Sequence, residues 1–181
     1  MNVAEIEENI LAVGKAIGRE TEAQSLVRSN RQRIARVESA VADTPRSRVV
    51  FLEWTEPLFC GGHWVPEMIA MAGGDDPLGR PGEDSVRMTW DDVAAASPEA
   101  IIVSPCGYRL EESAELARSM PRDLDARVYA VDANAYFARP GPRLAEGVEL
   151  LAHLFHPDRV PWRHPHVPWM EISQSPSSLQ R

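Results

Sequence analysis

Three short apolar runs, Val49-Val50-Phe51-Leu52, Ala100-Ile101-Ile102-Val103 and Val128-Tyr129-Ala130-Val131, constrain this chain more than any other feature. None alternates with polar residues, as a strand with one wet face would. Each run therefore needs cover on both faces. Helical patterns separate them, from Trp64 or Val65 to Gly73-Gly74, Trp90 to Ala96, Leu110 to Met120, and Pro142 or Arg143 to Phe155. Strands in that rhythm pair in parallel through helical crossovers, which lay helices on both sides of the sheet. The expected fold is α/β: a three-layer α/β/α lobe with a short, mainly parallel sheet, preceded by a long helical arm.

The arm is residues 1–43, the lobe 44–157 and a Pro-rich tail 158–181. In the arm, Ile6, Ile10, Val13 and Ile17 keep helical spacing and Gly18 reads as a stop. Thr21 with Gln24 reads as a capping box opening a second helix, striped by Leu26, Val27, Ile34, Val37 and Val41. Asp75 to Met88, with Pro77, Gly79, Pro81 and Gly82, is expected to be an exposed irregular stretch. Thr89 caps the next helix, with Asp91 and Asp92 in its first turn. The tail is expected to be extended or unordered, its histidines facing solvent.

A length of 181 residues suits one domain. With 27 acidic against 19 basic side chains, a formal charge of -8, the surface argues against a nucleic-acid partner. No apolar run approaches the roughly 20 residues that span a bilayer. The N-terminus lacks the basic and apolar regions of a signal peptide, so the chain reads as cytoplasmic or as having lost an upstream segment. Two cysteines are too few for a disulfide scaffold.

In an open parallel sheet, ligands bind beyond the carboxyl ends of the strands. The loops there, 53–63, 104–109 and 132–141, with the residue after the first, carry Trp54, Glu56, Phe59, Cys60, His63, Trp64, Cys106, Tyr108, Asn134, Tyr136, Phe137 and Arg139. That rim is aromatic in a chain with only 7% aromatics, and such rims hold flat or large organic ligands. The alternative is that the rings seal the sheet end or pack under the tail. Cys60, His63 and Cys106 could bind a metal, form a disulfide, pair a thiol with an imidazole base, or include simply buried free cysteines. No phosphate-cradling glycine loop, nucleophile elbow or carboxylate pair occurs. Neither catalysis nor a resident metal or cofactor is expected.

The phrases Glu53-Trp-Thr-Glu-Pro-Leu-Phe-Cys-Gly-Gly-His-Trp-Val-Pro-Glu-Met, Ser97-Pro-Glu-Ala-Ile-Ile-Val, Pro105-Cys-Gly-Tyr and Tyr136-Phe-Ala-Arg-Pro-Gly-Pro-Arg carry a resemblance. Over about residues 3–157 the chain resembles the C-terminal half of class III substrate-binding proteins of ABC importers, most of all the cobalamin-binding branch. The resemblance implies that residues 1–43 are the helix connecting two lobes, and that the protein is periplasmic or at the cell surface. It implies a transported corrinoid or other metal chelate, with iron siderophore or heme as alternatives, and an ABC permease as partner. Trp54, Phe59 and Trp64 fall on its corrin-facing side, and Tyr136, Phe137 and Arg139 on a loop that meets the ligand. Glu56, His63, Cys106 and Tyr108 complete the candidate ligand set. Asp91, with Asp92 beside it, falls at the acidic position that docks on permease arginines. The family's N-terminal lobe has no counterpart in this sequence. A half-cleft would alternatively make the chain an interaction module, pairing with a second copy or a separate N-terminal lobe.

Overall fold

The computed structural model describes residues 1–121 and 125–173. Helices α1 (Val3–Ala16) and α2 (Glu20–Val41) precede β1 (Ser47–Thr55), β2 (Leu58–Cys60), α3 (Val65–Met71) and β3 (Gly74–Asp75). Then come α4 (Trp90–Ala96), β4 (Ala100–Val103), α5 (Leu110–Ser119), β5 (Arg127–Val131), α6 (Ala133–Tyr136), α7 (Leu144–Phe155) and β6 (Trp169–Ile172). The sheet order is β2-β1-β4-β5-β6, with β3 also on β1. β1, β4 and β5 are parallel, with Phe51 opposite Ile102 and Ile102 opposite Tyr129. β2 and β6 are antiparallel edges.

The apolar runs are buried on both faces for the expected reason. Val49, Phe51, Ile102, Tyr129 and Val131 join one core cluster with residues of α1, α2, α3 and α7. Their neighbours Val50, Leu52, Ile101, Val103, Val128 and Ala130 join a second, with Val93 of α4 and Ala114 and Ala117 of α5. This is the expected three-layer α/β/α arrangement. Val3, Ile6, Ile34 and Val37 belong to the first cluster, so both N-terminal helices lie against the lobe.

Local differences from the sequence reading have physical causes. Gly18, at φ +70°, ends α1 as expected. Arg19 alone separates it from α2, and the Ala23 N–H already bonds the Arg19 carbonyl, so Thr21 lies inside the helix and cannot cap it. The capping box forms instead at α1, between Asn2 and Glu5. β1 runs beyond its apolar run, and Trp54 and Thr55 pair with Phe59 and Leu58, which turns part of the expected 53–63 loop into a hairpin. The 132–141 loop contains α6, capped by the Asp132 carboxylate on the Ala135 N–H.

The described tail is extended, one of its two expected forms, and part of it joins the sheet. Trp169–Ile172 pairs along the open edge of β5, from Val131↔Trp169 to Val128↔Ile172. His164 does not simply face solvent; it bonds Glu149 at 2.8 Å. Residues 174–181 of the expected tail lie outside the described residues. Among the described residues, no helix is long and apolar enough to cross a membrane.

Candidate functional site

A cleft of about 440 Å3 opens beyond the carboxyl ends of the parallel strands. Phe51 and Glu53 reach it from β1, Ser104 and Cys106 from the end of β4, and Phe137 and Ala138 from the end of α6. His63, Trp64 and Val65 line it from the start of α3, with Met1 and Asp84 at the remaining wall. Its floor is aromatic: Phe51 and Phe137 pack edge to face at 5.4 Å, and His63 stacks beside Trp64 at 5.7 Å.

The walls are pinned by backbone bonds. The Ser104 and Cys106 N–H groups donate to the carbonyls of Leu52 and Glu53, at 2.9 and 3.3 Å, holding the β4 loop beside β1. Glu53 accepts from the Gly62 N–H at 2.8 Å. His63 takes φ +55°, held there because its N–H donates to Glu83 O at 2.6 Å and its carbonyl accepts from Gly82 N–H at 2.7 Å. Gly62 permits this close pass: a Cβ there would lie 2.5 Å from Ser85 N. Asp76 fills the edge of β1 between β3 and β2, accepting from Phe51 N–H at 3.2 Å and from Leu78 and Gly79 N–H, both at 3.1 Å. Burial outweighs those bonds and pushes its carboxyl up to about 6.

Two polar atoms at the cleft have no partner. The Trp64 indole Nε1 and the Ser104 Oγ are both buried and unbonded, although Trp64 is only 8% and Ser104 only 2% exposed. Leaving such a group unmade costs about 1–3 kcal/mol.

Of the residues singled out from sequence, His63, Trp64, Cys106 and Phe137 line the cleft. Trp54 and Tyr108 do not; they pack on each other at 5.2 Å, and the Trp54 indole donates to Glu56 O at 2.9 Å. Glu56 is exposed on the hairpin turn, and Phe59, half-buried, bridges to Arg87. Tyr136 packs half-buried against the first core cluster, while Arg139 is exposed just past Ala138. Sequence reasoning passed over Phe51, Glu53 and Ser104. Their signal is position: each sits at or just beyond the end of a parallel strand.

The cysteines separate. Cys60 is buried in the second core cluster, where burial pushes its thiol up, while exposed Cys106 lines the cleft; both are free, which removes the disulfide alternative. Among the described residues, no group of three or more His, Cys, Asp or Glu could hold a metal ion. At α4, Asp92 closes a capping box with Thr89 and is held below the usual carboxylate range by the Thr89 hydroxyl and N–H. Asp91 stays exposed in the same turn.

The lobe thus combines a mainly parallel sheet, a cleft at the strand ends and a helical pair packed on one face. Residues 1–131 match the periplasmic binding protein family, and the chain belongs to it. It resembles a periplasmic heme binding protein from Pseudomonas aeruginosa, with TM-score 0.77, 19% identity, and coverage of 95% of this chain and 66% of that one. An ABC transporter substrate-binding protein from Listeria monocytogenes gives TM-score 0.73 at 18% identity, covering 86% of this chain and 65% of that one. The periplasmic heme-binding protein RhuT from Roseiflexus sp. RS-1 gives 0.68 at 22% identity, covering 86% and 64%. The chain thus spans less than two thirds of the length of each of these relatives. No curated protein matches it.

Proposed function

We propose that this chain is the ligand-binding lobe of a solute carrier of an ABC-type importer, holding a metal chelate without transforming it. The observation that carries this reading is the aromatic-floored cleft beyond the strand ends, lined by Phe51, His63, Trp64 and Phe137. Flat, large ligands bind such floors by stacking and apolar burial. Family membership supports carriage, and two of the similar structures are heme-binding proteins. A corrinoid such as cobalamin is our preferred ligand, with heme and ferric siderophores as alternatives. Trp54, Tyr108, Tyr136 and Arg139 belong to the rim that a ligand larger than the cleft would cover. Asp91 is the proposed permease contact, since an exposed acid at a helix start can form a charge-assisted pair with arginine, whereas Asp92 is occupied in capping. The protein works in the periplasm or at the cell surface.

Titration with cyanocobalamin, hemin and a ferric siderophore, followed by absorbance and tryptophan fluorescence, tests this. We expect saturable spectral change and quenching with at least one. A folded protein that responds to none overturns the reading.

A second reading is favoured by an apolar groove of about 390 Å3 between α1, α2 and the 140–142 loop. Ile6, Ile10 and Leu26 line it, and at its open side Val13 and Ile17 remain 59% and 66% exposed. Such a face suits a separate N-terminal lobe or a second copy, making the chain an interaction module. Light scattering that finds a strict monomer at high concentration rules out the second copy.

A further inference from the structure

We propose that the groove between α2 and the tail is a second binding site, separate from the strand-end cleft, for a small polyanion bearing phosphate or carboxylate groups. The first observation is where positive charge gathers. The chain carries 27 acidic against 19 basic side chains, a formal charge of -8. Yet Arg33, Arg36, Arg159 and Arg163 line one groove of about 580 Å3 with a single carboxylate, Glu149. That carboxylate is already spent on Arg33, which holds it at 2.8 and 2.6 Å. Among the described residues, Arg36, Arg159 and Arg163 have no ion pair, and all three are exposed. Positive charges lining one groove repel each other, and an anion seated among them relieves that repulsion. Each guanidinium is a planar fork of donors that fits the oxygens of a phosphate or a carboxylate.

The second observation is that the groove is a formed site. Its volume sits within the range of about 300–1,000 Å3 typical of small-molecule sites. It shares no lining residue with the strand-end cleft. Trp162 gives it an aromatic wall, fixed by the indole bond to His166 O at 2.6 Å and by packing on Trp169 at 5.5 Å. The Arg159 and Val160 N–H groups donate to the His156 carbonyl at 3.0 and 2.9 Å, which anchors the turn carrying Arg159 to the end of α7. The half-buried polar groups of this joint are matched, and what it leaves over is positive charge facing solvent. A ring wall beside guanidiniums also suits the flat or apolar part of an organic anion. Arg159, Trp162 and Arg163 lie beyond the residues 1–131 that match the family, so the family match does not assign this site.

The experiment is calorimetric titration of the whole chain with inorganic triphosphate and with citrate, in a low-salt buffer. We expect saturable binding of at least one; triphosphate alone marks the phosphate class, citrate alone the carboxylate class. Arg36→Gln, Arg159→Gln and Arg163→Gln, each checked for folding by circular dichroism, should weaken binding about tenfold, one charge-assisted hydrogen bond's worth. Arg28→Gln makes the same charge change at an exposed position of α2 outside the groove, and should leave the affinity unchanged. An equal loss in Arg28→Gln overturns the proposal, because the anion then reads diffuse charge and not a site. Binding of neither anion overturns it as well; cosedimentation with phosphatidylglycerol vesicles in that case assigns the arginines to an anionic surface instead. These outcomes leave the strand-end cleft untouched, so the carrier reading stands or falls on its own titration.

Discussion

Trp162 and Trp64 each sit beside a histidine in an aromatic group, and their indole N–H groups end in opposite states. Trp162 packs against His164 at 4.5 Å and Trp169 at 5.5 Å, and donates to His166 O at 2.6 Å. Around it the polar groups are matched: Arg33 grips Glu149 through two bonds, at 2.8 and 2.6 Å, His164 adds another at 2.8 Å, and His153 Nδ1 meets Val160 O at 2.9 Å. Trp64 stacks on His63 over a cleft and donates to nothing. Trp162 closes the structure with its donor matched, whereas the Trp64 donor is left unmade. The tail side is a finished joint and the cleft side an unfinished one.

The largest test of this contrast asks whether the cleft floor is also core. Phe51 is fully buried although it lines the cleft. Phe51→Ala should cost about 3–5 kcal/mol, read as a lower denaturant midpoint at unchanged slope. A loss under about 1 kcal/mol would mean a floor that yields, and the cleft would then be a loose gap in the packing.

The two sides also respond to pH in opposite directions. Asp76 behind the cleft has its carboxyl raised from 3.8 to about 6, so the folded state holds the proton more tightly than the unfolded chain. Its contribution is fully present below pH 3.8 and is lost as pH rises through about 6, on the order of 2–3 kcal/mol in all. Urea melts of wild type and Asp76→Asn at pH 4 and pH 7 should converge at one end and separate at the other; parallel shifts would contradict it. Glu149 runs the other way. Burial pushes it up, but the bonds from Arg33 and His164 win and hold it below its ordinary 4.5. Its contribution is present above pH 4.5 and is lost as pH falls. Arg33→Ala should therefore cost about 1–2 kcal/mol at neutral pH by leaving Glu149 half-buried without its fork, and less in acid. Equal losses at both pH values would show that the pair contributes packing alone.

The finished and unfinished parts were unequally legible in the sequence. Strands buried on both faces write continuous apolar runs, so β1, β4 and β5 stood out and fixed the layers around them. Trp169-Met-Glu-Ile writes no such run: it is an edge strand with Glu171 exposed, preceded by Pro168, and only the open side of β5 selects it. In the cleft, His63, Trp64, Cys106 and Phe137 were visible as chemistry on strand-end loops. Phe51 was visible only as core, because one ring can serve both. Ser104 was marked only by its place just beyond the end of β4, since its other distinction is a missing bond. Trp54 and Tyr108 stand outside the cleft for the converse reason: two rings on neighbouring loops can satisfy each other.

The smallest expected effect is the most discriminating. Trp162→Phe keeps a ring but loses the bond to His166 O, and should cost about 1 kcal/mol. Trp64→Phe also keeps a ring, yet it removes a buried donor that bonds nothing, so the folded protein loses no hydrogen bond and is relieved of a desolvation cost. Its stability should hold or rise slightly, despite the smaller ring. Thermal melts of the two variants side by side read this directly. If Trp64→Phe loses as much as Trp162→Phe, the Trp64 indole already has an acceptor in the free protein, and the reserve of unmade bonds on which the contrast rests is gone.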